Sequence, residues 1–366
     1  MSNTQGNGPG SPRNRLRAAL GQGDGTPTVM ERVRRRYILT GRDDVLKAKF
    51  DAVLTDLCER PDPDGPDGEE EHREANMLLV LGVSGAGKTR SLARLFERHP
   101  VLQEARTGSD DLVLSMTAPS PCGVKELGRS ILLATGYAVL RTQVTGPEIW
   151  STVRARLQAL GVLVLHIDEA QHATQIRDAI ERQKLRNSLK ALMVDAEHPV
   201  AVVLSGLPVV AGFVRADRQL SRRARWYEFL SVELPADTAM LTKALEGFAE
   251  LAGMSIAGAE VRRILPRLVH AGDHRMGVIV EEMHDAVRCA LEGKTKKLEL
   301  SHFEEAFAQR TGNARQWNPY ARTDYRAVDV WRMLQVKHQT PPPAAGSKKK
   351  SGSPKKSGSG EEGYPQ

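Results

Sequence analysis

The sequence predicts an α/β protein whose core is a parallel sheet flanked by helices, followed by a small helical domain. Two observations support this fold class. Short apolar runs, typical of strands buried on both faces, alternate with segments of helical periodicity as far as Pro235. After Pro235 the strand signal stops and only helical patterns follow. Strands that alternate with helices are typical of βαβ units, and therefore of parallel strand pairing.

The elements of the predicted sheet follow one another along the chain. Aliphatic and β-branched runs indicate the strands, and amphipathic segments indicate the helices. The predicted strands are Met77–Leu81, Leu112–Thr117, Val162–Glu169, Val200–Ser205 and Trp226–Leu234. The helices predicted around them are Asp43–Leu57, Ser91–Arg98, Gly123–Thr135, Pro147–Leu160 and Ile176–Asp195. The helical domain is predicted to contain Thr238–Leu251, Ala259–His270, Arg275–Leu291 and His302–Gln309.

Shifts in composition indicate where the domains begin and end. Residues 1–28 are rich in Gly, Pro and Asn, and we expect a disordered arm. Residues 29–75 combine a basic run and a helical pattern with an acidic linker. The α/β core is then expected at 76–235 and the helical domain at 236–312. Residues 313–366 form an extension that ends in a lysine-rich tail, which we expect to be disordered.

Composition also limits the class of protein. The formal net charge is +7, which favours a polyanionic partner. The three cysteines lie far apart, and the ten histidines form no cluster with the spacing of metal ligands, so neither a disulfide framework nor a zinc site is indicated. No apolar stretch approaches the roughly 20 residues that span a bilayer. We therefore expect a cytoplasmic protein that has no membrane partner.

A glycine-rich loop predicts the ligand. The segment Gly82-Val-Ser-Gly-Ala-Gly-Lys-Thr89 directly follows a predicted strand and leads into a predicted helix, as a phosphate-binding P-loop requires. Its backbone N–H groups would surround the phosphates, Lys88 would reach the β- and γ-phosphates, and Thr89 would ligate Mg²⁺. ATP and Mg²⁺ are therefore the expected cofactors. The predicted nucleotide contacts are Gly82, Val83, Ser84, Gly85, Ala86, Gly87, Lys88, Thr89 and Arg90.

The second half of the expected site lies at the end of the third predicted strand. Asp168 and Glu169 follow an apolar run, and the carboxyl ends of parallel strands are where such sheets place ligand-binding groups. Asp168 is expected to hold the magnesium ion through water, and Glu169 to orient or deprotonate the attacking water. His166, inside the run, is interpreted as a packed core residue rather than a catalyst.

A P-loop α/β core followed by a small helical lid domain resembles the AAA+ ATPases. The resemblance implies that Ser205, where the family often carries Asn, contacts the γ-phosphate or the attacking water. It also implies an arginine that reaches into a neighbouring subunit's site, for which Arg223 is the first choice and Arg222 the second; a solvated basic face is the alternative. Arg275 would be the lid arginine that senses the nucleotide, although it could also be an ordinary residue at a helix start.

Four further segments carry a closer resemblance. They are Ala118–Pro121, Leu132–Tyr137, Gly161–His172 and Leu204–Pro208. These segments resemble the transposition regulators TniB and TnsC, and more distantly MuB, over roughly residues 32–310. The resemblance implies ATP-bound subunits that assemble as a ring or filament on double-stranded DNA without base specificity. The assembly would recruit or activate a separate DDE transposase, with a TniQ-like targeting protein as a further partner, and hydrolysis would disassemble it.

Contacts with the DNA backbone require basic and polar side chains. The candidates are Lys125, Arg129, Arg141 and Thr142, which follow the second predicted strand; ordinary solvated side chains are the alternative. We expect the segment from Thr311 to the lysine-rich tail to be exposed and to dock the transposase. The one acidic pair indicated by the sequence belongs to the nucleotide site, and no separate carboxylate triad is found that could catalyse strand transfer. We therefore expect that the protein itself does not cut DNA.

Three other functions share some of these features. The string Asp168-Glu-Ala-Gln-His172 superficially resembles the motif of DEAH helicases, but the helical region is too small for the second RecA-like domain that these enzymes need. An AAA+ replication initiator or loader shares the nucleotide chemistry, the lid and the DNA affinity, and stays open as an alternative. So does a nucleotide-dependent DNA-binding scaffold with negligible turnover.

Overall fold

The structure, a computed structural model, describes residues 12–19, 28–58, 75–108, 110–137, 144–312, 315–330 and 332. Five strands form one sheet: β1 (Met77–Leu81), β2 (Val113–Thr117), β3 (Val164–Asp168), β4 (Ala201–Gly206) and β5 (Ala224–Glu228). All strand pairs are parallel, and the order across the sheet is β2-β3-β4-β1-β5. This order and the flanking helices confirm the predicted fold class.

In the described part of the chain, ten helices precede or surround the sheet. They are α1 (Pro12–Ala19), α2 (Val29–Arg35), α3 (Gly41–Cys58), α4 (Lys88–Arg98), α5 (Pro100–Thr107), α6 (Val124–Ala134), α7 (Gly146–Ala159), α8 (Ala179–Met193), α9 (Val210–Arg215) and α10 (Arg218–Arg223). A 3₁₀ helix also follows β3 at Ala170–Gln175. Four more helices form the lid: α11 (Thr238–Leu251), α12 (Gly258–Ala271), α13 (Met276–Glu292) and α14 (Leu300–Thr311). Among the described residues, no helix combines the length and apolar content needed to cross a membrane.

The strand order determines which loops meet. Strand β4 lies between β1 and β3, so the polar end of β4 is placed between the P-loop after β1 and the acidic residues after β3. Leu81 pairs in register with Gly206, and Ile167 pairs with Leu204. All three strands are fully buried, in agreement with their apolar sequences. The carboxyl edge of these three strands therefore forms one site.

The last strand is shorter than its sequence predicts. We predicted a strand at Trp226–Leu234, but β5 ends at Glu228, which pairs with Leu81 at the end of β1. Beyond Leu81 the neighbouring chain turns into the P-loop, so residues after 229 have no strand to pair with. Leu230 is 69% exposed. The apolar pattern alone therefore does not determine the length of the strand, because each strand residue also needs a residue to pair with on the neighbouring strand.

Several helix predictions also needed correction. The helix predicted at Ile176–Asp195 begins three residues later, because the Asp178 side chain caps it by accepting from the N–H of Ile180 at 2.8 Å. Helices α5, α9 and α10 were not predicted; α9 and α10 have only six residues each, too few to show helical periodicity. Helix α1 lies within residues 1–28, which composition predicts to be disordered.

Two separate hydrophobic cores build the molecule. One contains the sheet and the helices around it, and the other contains the four lid helices. The N-terminal segment contributes to both: Val33 of α2 is buried in the lid core, whereas Leu46, Phe50 and Val53 of α3 are buried in the sheet core. Residues 36–40 therefore connect the two cores. The extension we placed at 29–75 is divided between them.

The segment after the lid is packed rather than exposed. We expected exposure from Thr311 onwards, but Tyr320 is only 2% exposed and its ring lies 5.4 Å from that of Phe303. Its hydroxyl donates to Glu282, a buried lid carboxylate that is also paired with Arg310. Apolar contact with α14 and a buried carboxylate thus hold this segment down. The lysine-rich tail lies outside the described residues.

Replacing Tyr320 should therefore destabilise the lid. Tyr320→Ala would leave a cavity between α13 and α14, and large aromatic-to-alanine changes in a core cost about 3–5 kcal/mol. Urea unfolding followed by circular dichroism would measure the change. The control is Gln316→Ala, an exposed residue of the same segment, for which we expect a change within about 0.5 kcal/mol. Equal effects of the two variants would mean that the segment does not pack on the lid.

Candidate functional site

The P-loop joins β1 to α4 through a turn that requires glycine. Gly87 precedes α4 with a φ of 99°, a left-handed conformation that glycine adopts without steric cost. Lys88, only 7% exposed, donates from Nζ to the carbonyls of Gly82 at 2.8 Å and Val83 at 3.0 Å. Burial lowers the pKa of Lys88, and the negative charges of Asp168 and Glu169 act against that shift. The ammonium group is thus held over the loop that would surround the phosphates.

Asp168 lies where three elements meet. Its Oδ2 accepts from the Thr89 hydroxyl of α4 at 2.6 Å, and its Oδ1 accepts from the Ser205 hydroxyl of β4 at 2.5 Å. The N–H of Glu169 donates to Oδ1 at 2.9 Å. Burial raises the pKa of the carboxyl, but the hydrogen bonds from Ser205, Thr89 and Glu169 outweigh it and keep the pKa below its ordinary value. The carboxylate is therefore ionised at neutral pH and held beside Thr89, as a magnesium site requires.

Ser205 lies near the end of β4, as expected, but its hydroxyl contacts a carboxylate of the protein. The resemblance implied contact with a phosphate or water, yet the side chain has no exposed surface and donates its only hydroxyl hydrogen to Asp168. On its other side lies Nε2 of His166, at 2.8 Å. His166 is only 3% exposed, in agreement with its interpretation as a core residue, and burial lowers its pKa to about 4. It is therefore neutral at physiological pH.

Glu169 is held in an unusual conformation. Its φ of 55° lies in the left-handed region, which side chains other than glycine rarely adopt and which is common at functional sites. The Gln171 amide donates to the carboxylate of Glu169, and its oxygen accepts from the N–H of Leu207 at 3.2 Å. Gln171 thus connects Glu169 to the end of β4. The sequence does not indicate Gln171 as a site residue, because a glutamine two residues after the acidic pair matches no known motif.

Lys88, Thr89, Glu169 and Gln171 line one cavity of about 370 Å³, a volume typical of small-ligand sites, and Asp168 lies behind Thr89, to which it is hydrogen-bonded. The P-loop and Glu169 form one side of it, and the lid helix α13 forms another. The remaining side was missing from the sequence prediction. It is formed by Arg36, Tyr37, Ile38, Thr40, Arg42 and Asp43 of the N-terminal segment. The other lining residues are Ser91, Gln171, Leu207 and Phe229, together with Met276, Gly277, Val280, Glu281 and His284 of α13.

The N-terminal segment is fixed to the P-loop helix. The Tyr37 hydroxyl donates to the Asp43 carboxylate and lies 2.7 Å from the hydroxyl of Ser91 on α4. The Arg94 guanidinium lies 4.6 Å from the Tyr37 ring centre, and Arg90 donates to backbone carbonyls of the same segment. Arg90, which is expected to contact the nucleotide, lines the cavity and also holds the N-terminal segment beside it through these hydrogen bonds. The only sequence signal here was the basic run.

The lid contacts the P-loop directly. The N–H of Gly277, in the first turn of α13, donates to the carbonyl of Gly85 at 2.8 Å. Arg275 donates to the carbonyl of Ser84 at 3.4 Å, so the lid arginine proposed from sequence does reach the loop. A Cβ at position 277 would lie 2.6 Å from the Gly85 oxygen, which explains why only glycine fits there. Lid and P-loop are thus in backbone contact.

The two candidate arginines for a neighbouring site lie away from the cavity. Arg223 is only 8% exposed and donates to the carbonyl of Gln219 within its own helix at 3.4 Å, whereas Arg222 is exposed. Asp217 caps this helix and pairs with Lys190 of α8 at 2.8 Å, which fixes the position of both arginines. Only Arg222 has the exposure that contact with a second subunit needs.

The candidate DNA contacts are only partly described. Arg141 and Thr142 lie outside the described residues. Lys125 is exposed in the first turn of α6, and Arg129 is half-buried one turn later. Glu181 accepts from the N–H of Val124 at 3.0 Å, so a carboxylate already satisfies a backbone donor at the start of α6. The structure therefore leaves Lys125 accessible beside acidic neighbours.

Comparison with known proteins agrees with this architecture. Residues 71–212 match the family model described as an AAA domain. The fold is similar to ORC1 of Aeropyrum pernix in complex with DNA, at 17% identity and a TM-score of 0.52, covering 77% of this chain and 68% of that one. It is also similar to ORC2 of Aeropyrum pernix in its ADPNP–ADP complexes, at 16% identity and a TM-score of 0.53, covering 77% and 72%.

Drosophila ORC bound to DNA is a third similar structure, at 14% identity and a TM-score of 0.51, covering 81% of this chain and 69% of that one. No curated protein sequence gives a significant match. At these identities the likeness shows a common fold. The strand order, the P-loop and the helical lid are therefore those of the AAA+ fold.

The contact between lid and P-loop can be tested with a single methyl group. Gly277→Ala would force either the lid or the loop to move, and overpacking of this kind costs about 1–3 kcal/mol. We expect the free energy of unfolding in urea to fall by that amount, and the backbone amides of the P-loop to exchange hydrogen faster.

The matched control is Gly212→Ala in α9, where a new Cβ would have no neighbour within 4 Å. Alanine is favoured over glycine in a helix, so this variant should be as stable as the wild type or slightly more so. If the two variants behaved alike, the close approach of lid and P-loop would not exist in solution.

Proposed function

We propose that this protein is an Mg²⁺-dependent ATPase that binds duplex DNA and regulates DNA transposition. The observation that carries the ATPase assignment is that Lys88, Thr89 and Glu169 line one cavity and that Thr89 is hydrogen-bonded to Asp168. A P-loop alone indicates nucleotide binding. Asp168 and Glu169, at the end of β3, add the carboxylates that hydrolysis needs.

The residues present fit both cofactors. Lys88 and the loop backbone would bind the β- and γ-phosphates, while Ile38, Met276 and Val280 offer apolar surface to the base. Thr89 and Asp168 supply the hard oxygen ligands that Mg²⁺ prefers. Bound Mg²⁺ would neutralise charge that develops on the phosphates. One of the structural neighbours, ORC2 of Aeropyrum pernix, contains ADPNP and ADP.

The chain's own residues then have separate tasks. To bind phosphate, Lys88 gives up its two hydrogen bonds to the loop carbonyls. Glu169 positions a water molecule in line with the γ-phosphate and accepts its proton, which requires that its carboxylate be released from Gln171. Arg275, which reaches the loop from the lid, is placed to stabilise charge on the phosphates. The lid thereby couples nucleotide state to the position of α13.

Two substitutions separate binding from hydrolysis. Lys88→Ala removes the ammonium group directed at the phosphates and should abolish ATP binding. Glu169→Gln keeps Thr89 and Asp168 intact, so ATP should bind normally while turnover falls at least 100-fold, as expected for loss of a general base. Binding of a fluorescent ATP analogue and release of phosphate would measure the two effects. Wild-type turnover by Glu169→Gln would exclude Glu169 as the base.

We infer the role in transposition from the sequence segments that resemble TniB and TnsC. ATP-bound subunits would assemble on target DNA and recruit or activate a separate DDE transposase, guided by a TniQ-like partner, and hydrolysis would release them. Lys125 and Arg129, together with Arg141 and Thr142, are the proposed backbone contacts. Arg222, with Arg223 behind it, is the proposed contact with the neighbouring subunit's nucleotide. Two structural neighbours are bound to DNA, which supports a DNA partner.

A second candidate function is replication initiation. The similarity of fold to the ORC proteins favours it, because those neighbours share the core and the lid with this chain. An initiator would bind a preferred sequence, whereas a transposition regulator of this type would bind duplex DNA of any sequence. A third reading, a scaffold with negligible turnover, is decided by the hydrolysis measurements above.

A strand-transfer assay with a cognate DDE transposase tests the role directly. We expect strand transfer to need the protein and ATP, and its DNA binding to be independent of sequence and to weaken steeply with salt. Lys125→Ala should reduce affinity equally for unrelated duplexes and lower the salt slope by about one. Binding confined to one sequence would favour the initiator, and strand transfer that is unchanged without the protein would exclude the transposition role.

The docking part of the proposal is tested by truncating the chain, and the truncation must leave the packed segment in place. Ending the chain at Gln309 would remove Tyr320 and unfold the lid, so loss of transposition would have no clear meaning. Ending it at Arg332 retains the packed segment and removes the lysine-rich tail. That variant should keep ATPase activity and DNA binding while stimulating strand transfer less. Full stimulation would show that the tail does not dock the transposase.

A further inference from the structure

A row of polar side chains crosses the sheet beneath α4. Ser115 of β2 pairs in register with His166 of β3, and Asp168 lies two residues further along the same face of β3. Ser205 of β4 completes the row between His166 and Asp168. The Phe96 ring of α4 lies against the His166 ring, with centres 5.2 Å apart. Because side chains alternate across a strand, these four residues belong to a single face.

The direction of each hydrogen bond in this row is determined. The Asp168 carboxylate only accepts, so the Ser205 hydroxyl must donate its one hydrogen to it, at 2.5 Å. Ser205 therefore accepts from Nε2–H of His166 at 2.8 Å. A neutral imidazole with hydrogen on Nε2 accepts at Nδ1, so the Ser115 hydroxyl donates there, at 2.7 Å. The row thus runs from an edge-strand hydroxyl to the carboxylate.

We propose that His166 and Ser205 are positioning residues for the magnesium-binding carboxylate Asp168, and that Ser205 acts through Asp168 rather than on the nucleotide. The inference rests on the proposed function, because it assigns residues to the metal site of that ATPase. Groups that orient a metal-ligating side chain commonly change metal affinity strongly when they are removed. Here the orientation comes from His166 on β3 and Ser205 on β4, with Ser115 of β2 at the far end of the row.

Three observations carry this assignment. Ser205 has no exposed surface, so its oxygen is not available to a phosphate in the cavity. Its single hydrogen is already donated to Asp168, which leaves no donor for a phosphate oxygen, and one of its two lone pairs accepts from His166. His166 has both ring nitrogens hydrogen-bonded, which a residue present only for packing does not need. Both oxygens of Asp168 are consequently held, one by this row and the other by Thr89.

Removing the row should therefore weaken magnesium binding while nucleotide binding without metal remains. The full-length protein is titrated with a fluorescent ATP analogue, first in excess chelator and then at fixed analogue with increasing Mg²⁺. For His166→Phe and Ser205→Ala we expect the half-saturating Mg²⁺ concentration to rise about ten-fold or more. Affinity for the analogue in chelator should be unchanged, since Lys88 and the loop backbone are intact.

A rescue variant and a matched control separate positioning from general destabilisation. His166→Gln retains an amide donor that can reach Ser205, so its Mg²⁺ requirement should lie closer to that of the wild type than the requirement of His166→Phe does. The control is His302→Phe, which replaces another buried histidine in the lid, away from Asp168. It should leave the Mg²⁺ requirement unchanged even if it lowers the melting temperature.

The possible outcomes are distinct. If wild-type protein binds the analogue without any Mg²⁺ effect, the proposed ATPase site is wrong. If the wild type shows the effect and both variants keep the wild-type Mg²⁺ requirement, the positioning role is wrong. If Ser205→Ala instead loses its preference for ATP over ADP in chelator, Ser205 contacts the γ-phosphate and the inference is overturned. Should His166→Phe fail to fold, Ser205→Ala alone decides among these results.

Discussion

The proposed site depends on the hydrogen bonds that hold the Asp168 carboxylate. Its hydrogen bonds connect the P-loop helix, the third strand and the fourth strand, and none of the three is close to another in sequence. A buried carboxylate without such partners would favour protonation and lose its attraction for a cation. Here the donors keep it ionised and fix its orientation. The parallel sheet makes this possible, because it brings the ends of β1, β3 and β4 to one edge.

A second constraint is the shared use of the N-terminal segment. Val33 is buried in the lid core and Phe50 in the sheet core, so residues 36–40 bridge the two bodies across the cavity. Arg90 and Ser91 on the P-loop helix hold this bridge, and Gly277 of the lid rests on the P-loop backbone. A ligand in the cavity therefore contacts both bodies and their connection. The lid and the phosphate-binding loop are therefore joined both directly and through this bridge.

Glu169 shows how the same architecture restrains the proposed catalytic base. The residue has a left-handed backbone, and its carboxylate is occupied by Gln171, which is itself anchored to the N–H of Leu207 after β4. Strained backbone of this kind persists only where the surroundings hold it. The end of β4 thus supports both carboxylates, Asp168 through Ser205 and Glu169 through Gln171. This central strand carries no residue of the P-loop or of the acidic motif, yet it orients both parts of the site.

The sequence by itself determined the parallel α/β core, the lid and the roles proposed for Lys88, Thr89, Asp168 and Glu169. These features are local: a glycine turn between strand and helix, or an acid at a strand end, has its meaning within a few residues. Only the tertiary structure decided that Ser205 donates to Asp168 and lies against His166, that the segment after Thr311 packs through Tyr320, and that β5 ends at Glu228. Each of these outcomes depends on partners distant in the chain. The type of a residue limits the hydrogen bonds that its side chain can make. Strand order and packing determine which other residue lies beside it.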